Sequence, residues 1–171
     1  MKIVTTPMCE EIVKLAGIKN YNVNKHPSKK DGDLAILLSE SKVEIDAIPI
    51  KLNSSTQIFE SIKKLDFNNS LNDDEIISFF DNYPLSKKYL NNINNKNIRV
   101  KVYSNFLKDT VESMGFVIDD KNYDYVIYPD YLKENVQKES KTLIKIPSHG
   151  KVSKNPFERI EKRYEILEKL I

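Results

Sequence analysis

Two stretches of the chain share one pattern of apolar and polar positions. Residues 2–18 (KIVTTPMCEEIVKLAGI) and residues 100–116 (VKVYSNFLKDTVESMGF) align without a gap at an offset of 98. Val4 falls on Val102, Thr6 on Ser104, Glu11 on Asp109, Val13 on Val111 and Gly17 on Gly115. The correspondence resumes with a shorter spacing, where residues 33–36 (DLAI) answer 124–127 (DYVI) and residues 48–50 (IPI) answer 144–146 (IKI). Each stretch reads as strand, helix, three further strands and a closing helix. The run 2–5 is short and β-branched, and 7–16 places Met8, Ile12, Leu15 and Ala16 on one helical face. Thr6 is an N-cap candidate with Pro7 at the first helical position, and Gly17 is a C′ stop. Residues 34–38 (LAILL) are apolar throughout, as in a strand buried on both faces of a parallel sheet.

The closing helices are well signalled. Residues 55–65 turn Ile58, Phe59, Ile62 and Leu65 inward. In the second half Asn155 caps, Pro156 sits at N1, Glu158 completes a capping box, and Phe157, Ile160, Tyr164, Leu167 and Ile171 form the stripe. Between the halves, Asn72 and Glu75 make another capping box ahead of Ile76, Ile77, Phe79 and Phe80. Pro84 opens a further helix, and the Asn-rich run 91–97 is an exposed turn. Strands alternating with helices predict an α/β fold with a mainly parallel sheet, built from two similar Rossmann-like β-α-β-β-β-α halves joined by a helical connector. The boundaries fall at 1–65, 66–97 and 98–171. Two separate lobes and one shared sheet both fit this pattern.

Composition narrows the partners. Lys and Arg number 27 against 25 Asp and Glu, a formal charge of +2, which gives no ground for a nucleic acid or an acidic membrane as the main partner. With 40% hydrophobic residues, nine Tyr and seven Phe, the chain has the means to fold. One Cys excludes an intrachain disulfide framework and a thiolate zinc site. No apolar run reaches the ~18 residues of a membrane span, and the N-terminus lacks a signal peptide's apolar stretch, so a cytoplasmic location is expected.

In open parallel sheets, ligands sit beyond the carboxyl ends of the strands, where loops enter helix N-termini. In the first half those loops carry Thr5, Thr6, Ser39, Asn53, Ser54 and Ser55. In the second they carry Ser104, Asn105, Ser148, His149 and Lys151. Hydroxyl and amide side chains beside free N–H groups suit a phosphate, a carboxylate or another anion, and the same residues are the ordinary helix caps. His149 is the candidate acid or base, being a titrating side chain in an exposed Gly-containing turn. Cys9, near a helix start that lowers thiol pKa, is the candidate nucleophile, and a packed structural role fits it equally. Asp119 and Asp120 end the second strand of the second half, where a carboxylate binds ribose in dinucleotide sites. No GxGxxG or GxxxxGK[ST] accompanies them, so no cofactor is named, and no metal-ligand spacing is present.

The stretch TTPMCEEIVKLAGI and the run DLAILLSES resemble archaeal α/β proteins of the methanogenesis-marker kind. The resemblance covers the first third of the chain and hands over no functional residue. It implies a tie to the assembly of a methanogenic enzyme or cofactor. Two function classes follow from the sequence: binding of a small anionic or cofactor-like molecule in a polar cleft at the carboxyl edge of the sheet, or a non-catalytic module. The latter would dock to a larger protein assembly or to itself through the apolar connector at 76–80.

Overall fold

The computed structural model describes the backbone of residues 1–171 and every side chain except those of residues 134 and 135. Two four-stranded parallel sheets form, one from each half. The first contains β1 (Ile3–Thr5), β2 (Tyr21–Val23), β3 (Leu34–Leu38) and β4 (Asp46–Ile50), in the order β2-β1-β3-β4. The second contains β5 (Arg99–Val102), β6 (Val117–Ile118), β7 (Tyr125–Pro129) and β8 (Thr142–Ile146), in the order β6-β5-β7-β8. The order is the same in both, and the apolar repeat shows in the register: Ile36 pairs with Ile48 as Ile127 pairs with Ile144. Pro49 is tolerated because β4 is an edge strand, where a missing N–H faces outward.

The helices are α1 (Glu10–Leu15), α2 (Ser55–Leu65), α3 (Asp73–Ser78), α4 (Pro84–Lys88), α5 (Asn105–Ser113), α6 (Lys133–Val136) and α7 (Pro156–Glu168). No described helix is long and apolar enough to cross a membrane. Gly17 and Gly115 stop α1 and α5 in the same way, with φ of 82° and 78°. In both, the N–H two residues past the cap bonds back one turn, Ile18 to the Val13 carbonyl and Phe116 to the Val111 carbonyl.

Two expectations about helices need correcting. α1 starts at Glu10, because the Cys9 N–H bonds the Thr6 carbonyl and residues 6–9 make a turn first, so Thr6 is no cap. Glu158 does not close a capping box, since its carboxylate takes the Ser153 hydroxyl at 2.6 Å. Asn155 alone caps α7, accepting from the Phe157 N–H at 2.9 Å. The box at Asn72 and Glu75 is complete.

One large core joins the halves. Ile3, Ile36 and Ile50 from the first sheet and Val100, Val102, Ile127 and Ile146 from the second share it with the buried faces of the helices. The opposite face of each sheet has only a small cover: Val43 and Ile45 over Val4, Ala35 and Leu37, and Val136, Tyr103 and Tyr123 beside Val126 and Tyr128. The connector belongs to the large core. Ile76 and Phe80 are fully buried, and Phe80 meets Phe157 edge-on with ring centroids 4.9 Å apart. Of the stretch expected to serve docking, Ile76 and Phe80 are therefore inside the molecule, while Ile77 and Phe79 are half-buried and Ser78 is exposed.

α7 ties the parts together. The buried Glu161 carboxylate accepts from the Leu85 and Ser86 N–H groups at 3.0 and 2.7 Å and from the Ser86 hydroxyl at 2.6 Å, holding the first turn of α4. The buried Tyr164 hydroxyl accepts from the Ser55 N–H at 3.1 Å and meets the Ser113 hydroxyl at 2.9 Å, so α2 and α5 share one anchor.

Candidate functional site

Most hydroxyl and amide residues at the carboxyl edges are occupied by the fold itself. Thr5 is fully buried and donates to the Ile36 carbonyl at 2.9 Å, within the sheet. Ser54 and Ser104 accept from the Gln57 and Leu107 N–H groups and cap α2 and α5. Ser55 is buried against Tyr164. Asn53 links the halves, its amide donating to Asp109 at 3.1 Å while its carbonyl takes the Thr110 hydroxyl at 2.7 Å. Ser148 is buried and donates to Asp130 at 2.5 Å. Ser39 and Asn105 are exposed.

The two residues expected to carry chemistry differ in their surroundings. Cys9 is fully buried, and burial pushes its thiol up to about 11, opposite to the lowered value a nucleophile needs. The Thr6 hydroxyl and the Arg159 charge offset only part of that rise. His149 is exposed, lies with its ring centroid 4.9 Å from that of Tyr131 at a 44° tilt, and adopts φ of 54°, a left-handed conformation. Asp119 is spent on its own turn, accepting from the Lys121 and Asn122 N–H groups.

A different group of residues makes a pocket at the carboxyl edge of the second sheet. Pro147, Lys151 and Val152, beyond the end of β8, face Arg159, Arg163 and Ile166 of α7 across a cavity of about 280 Å³. Among the residues picked from the sequence, Lys151 alone lines it. The two arginines lie one helical turn apart and are 4% and 6% exposed. The Arg159 guanidinium donates to the Ser153 and Lys154 carbonyls at 3.0 and 3.3 Å. Arg163 packs over the Phe106 ring, 4.7 Å from its centroid, and its Nε and Nη1 have no hydrogen-bond partner. Among the described residues neither arginine is paired with a carboxylate. Burial pulls the Arg163 pKa down to about 9, and the neighbouring Arg159 charge adds to this; the group stays cationic at neutral pH.

A buried guanidinium with idle donors is unusual, because leaving a buried charge unpaired costs several kcal/mol. Sequence inspection missed it because helical arginines are ordinarily read as solvated. One signal was available: this lysine-rich chain has only three arginines, and two of them, Arg159 and Arg163, sit at i and i+4 beside the apolar stripe of α7.

No protein-family model and no curated protein matches the chain. Solved structures do. The SBP FpvC of Pseudomonas aeruginosa in complex with Mn2+ aligns with a TM-score of 0.59 and 11% identity, over 100% of this chain and 98% of that one. A Cd-bound periplasmic metal binding protein from Candidatus Liberibacter asiaticus aligns at 0.58 and 9%, over 100% of each chain. The periplasmic vitamin B12 binding protein BtuF of Vibrio cholerae aligns at 0.50 and 12%, over 98% and 96%. The likeness is one of fold. Two lobes with parallel sheets are common to all of them, and the chemistry of this chain has to be read from its own residues.

Those residues do not fit a metal ion. Among the described residues no group of three or more His, Cys, Asp or Glu side chains is placed to hold one. The buried charges at the pocket are guanidinium groups, which repel a cation.

Proposed function

We propose that the chain binds a small anionic molecule in the pocket between the end of β8 and α7, with Arg163 as its charge partner. The observation that carries this reading is the Arg163 guanidinium, buried with Nε and Nη1 unpartnered and with a second buried arginine beside it. An anion in the pocket would give Arg163 a charge partner in a low-dielectric site, where charge-assisted interactions are strongest. The fold likeness to binding proteins is in keeping with a ligand between strand ends and a helix. The methanogenic tie implied by the N-terminal resemblance is a separate proposal that nothing in this pocket addresses, and co-purification of partners from a methanogen is its test.

The binding reading has a two-sided test. Replacing Arg163 by Met keeps an unbranched side chain of similar reach and removes the buried charge, so the unliganded variant is expected to be as stable as the parent or more so. The parent is expected to gain stability with the bound anion, about 2.7 kcal/mol at a hundredfold excess over Kd, and Arg163→Met to gain none. Thermal denaturation with and without a panel of small carboxylates and phosphates measures both. A variant that is strongly destabilised and answers the anions as the parent does would mean that Arg163 is a structural side chain.

A further inference from the structure

We infer that the ligand of this pocket is a small organic anion with an apolar body, its negative head on Arg163 and its body against Pro147, Val152 and Ile166; this rests on the anion reading above and narrows it. The pocket offers a buried guanidinium and several apolar walls. Most of its other polar side chains have partners of their own. The Ser153 hydroxyl is held by Glu158 at 2.6 Å. Lys151 leans towards Asp130 at 3.6 Å and Lys162 pairs with Glu165 at 3.2 Å, both with ammonium groups out in solvent. Arg159 spends its Nη1 on two backbone carbonyls. What remains is Arg163, whose guanidinium carbon lies 4.7 Å from the centre of the Phe106 ring and which lines the pocket together with the proline ring and two aliphatic side chains.

That layout discriminates by shape as well as by charge. A free tetrahedral oxyanion directs oxygens to all sides, and those not on Arg163 would be stripped of water against carbon. A molecule with its charge at one end puts carbon against carbon and gains the burial of its apolar surface. The volume of about 280 Å³ sits at the small end of ligand pockets, so the body is of the size of one ring or a short alkyl chain. Carboxylate and phosphomonoester heads share the required chemistry.

Titration calorimetry on the full chain separates the alternatives with five probes: acetate and inorganic phosphate as heads without a body, benzoate and hexanoate as carboxylates with one, and phenyl phosphate as the phosphate counterpart of benzoate. At least one bodied anion is expected to bind tenfold or more tighter than its bare head, and the preferred head follows from benzoate against phenyl phosphate. Ile166→Ser, at a half-buried position on α7, is expected to weaken the bodied anion severalfold more than the bare head, and Arg163→Met to weaken both. Bare heads that bind as tightly as bodied ones, through Arg163, would overturn the apolar body and leave the anion site standing. No Arg163-dependent binding of any probe would overturn both.

Discussion

Glu139 shows what a satisfied charge looks like in this molecule. Its carboxylate accepts from the Lys101 ammonium at 2.7 Å, from the Tyr123 hydroxyl at 2.6 Å and from the Tyr103 hydroxyl, while Lys101 lies 5.2 and 5.5 Å from the centres of the two tyrosine rings. Three donors to the charged form hold its pKa down at about 2, with Lys101 the largest cause. A carboxylate whose folded pKa lies below its unfolded value stabilises the fold above the unfolded pKa, near 4.5, and loses that contribution as pH falls towards 2. Melting temperatures of the parent and of Glu139→Gln are therefore expected to differ most above pH 4.5 and to converge between pH 4.5 and 2. Parallel curves across that window would mean that the cluster does not couple to folding. Arg163 is the opposite case, a buried charge with Nε and Nη1 unpartnered among the described residues, and that contrast is what the proposed anion site rests on.

The helix ends of the two halves offer a matched comparison. Gly17 and Gly115 occupy the same C′ position with nearly the same φ, so an Ala at either meets the left-handed cost of about 1–2 kcal/mol. Their surroundings differ. A Cβ on Gly17 would meet nothing within 4 Å, whereas one on Gly115 would lie 2.1 Å from the Ile93 carbonyl oxygen and 2.9 Å from the Asn95 nitrogen. Urea denaturation is expected to show the larger loss for Gly115→Ala, by a further ~1–3 kcal/mol of overpacking or by release of the Asn-rich turn. Equal losses would mean that the turn yields without cost. The repeated glycine is among the features legible in the sequence, together with α2, the cap of α7 and the parallel strands. Local signals decide those elements: capping residues, helical periodicity and β-branched runs. The start of α1 was not legible, since Thr6 and Pro7 are equally good residues for the turn that precedes the helix.

At the scale of the whole chain, the site was less legible than the fold because it depends on which groups the fold leaves unused. Thr5, Ser54, Ser55, Ser104 and Ser148 have the chemistry of anion ligands, and packing spends each of them on a neighbour. Among the described residues no carboxylate pairs with Arg163 once α7 is docked, a fact of tertiary structure with no local trace. The same docking predicts how the halves unfold. The shared core and the Tyr164 hydroxyl, which serves Ser55 at the start of α2 and Ser113 in α5, make α7 a strut common to both sheets. The Ser55 N–H is one of the first-turn donors that a helix cannot satisfy internally. Tyr164→Phe keeps the ring against Tyr89, 4.8 Å away, and leaves that donor buried without a partner, at a cost of about 1–3 kcal/mol. Because one core spans both sheets, the loss is expected to appear as an earlier single transition, with fluorescence and circular dichroism coincident, and not as separate melting of the second half. Two resolved transitions in the parent would show that the sheets fold independently; one transition with Tyr164→Phe as stable as the parent would show that the hydroxyl is not the strut's anchor, leaving the apolar face of α7 to hold the halves together alone.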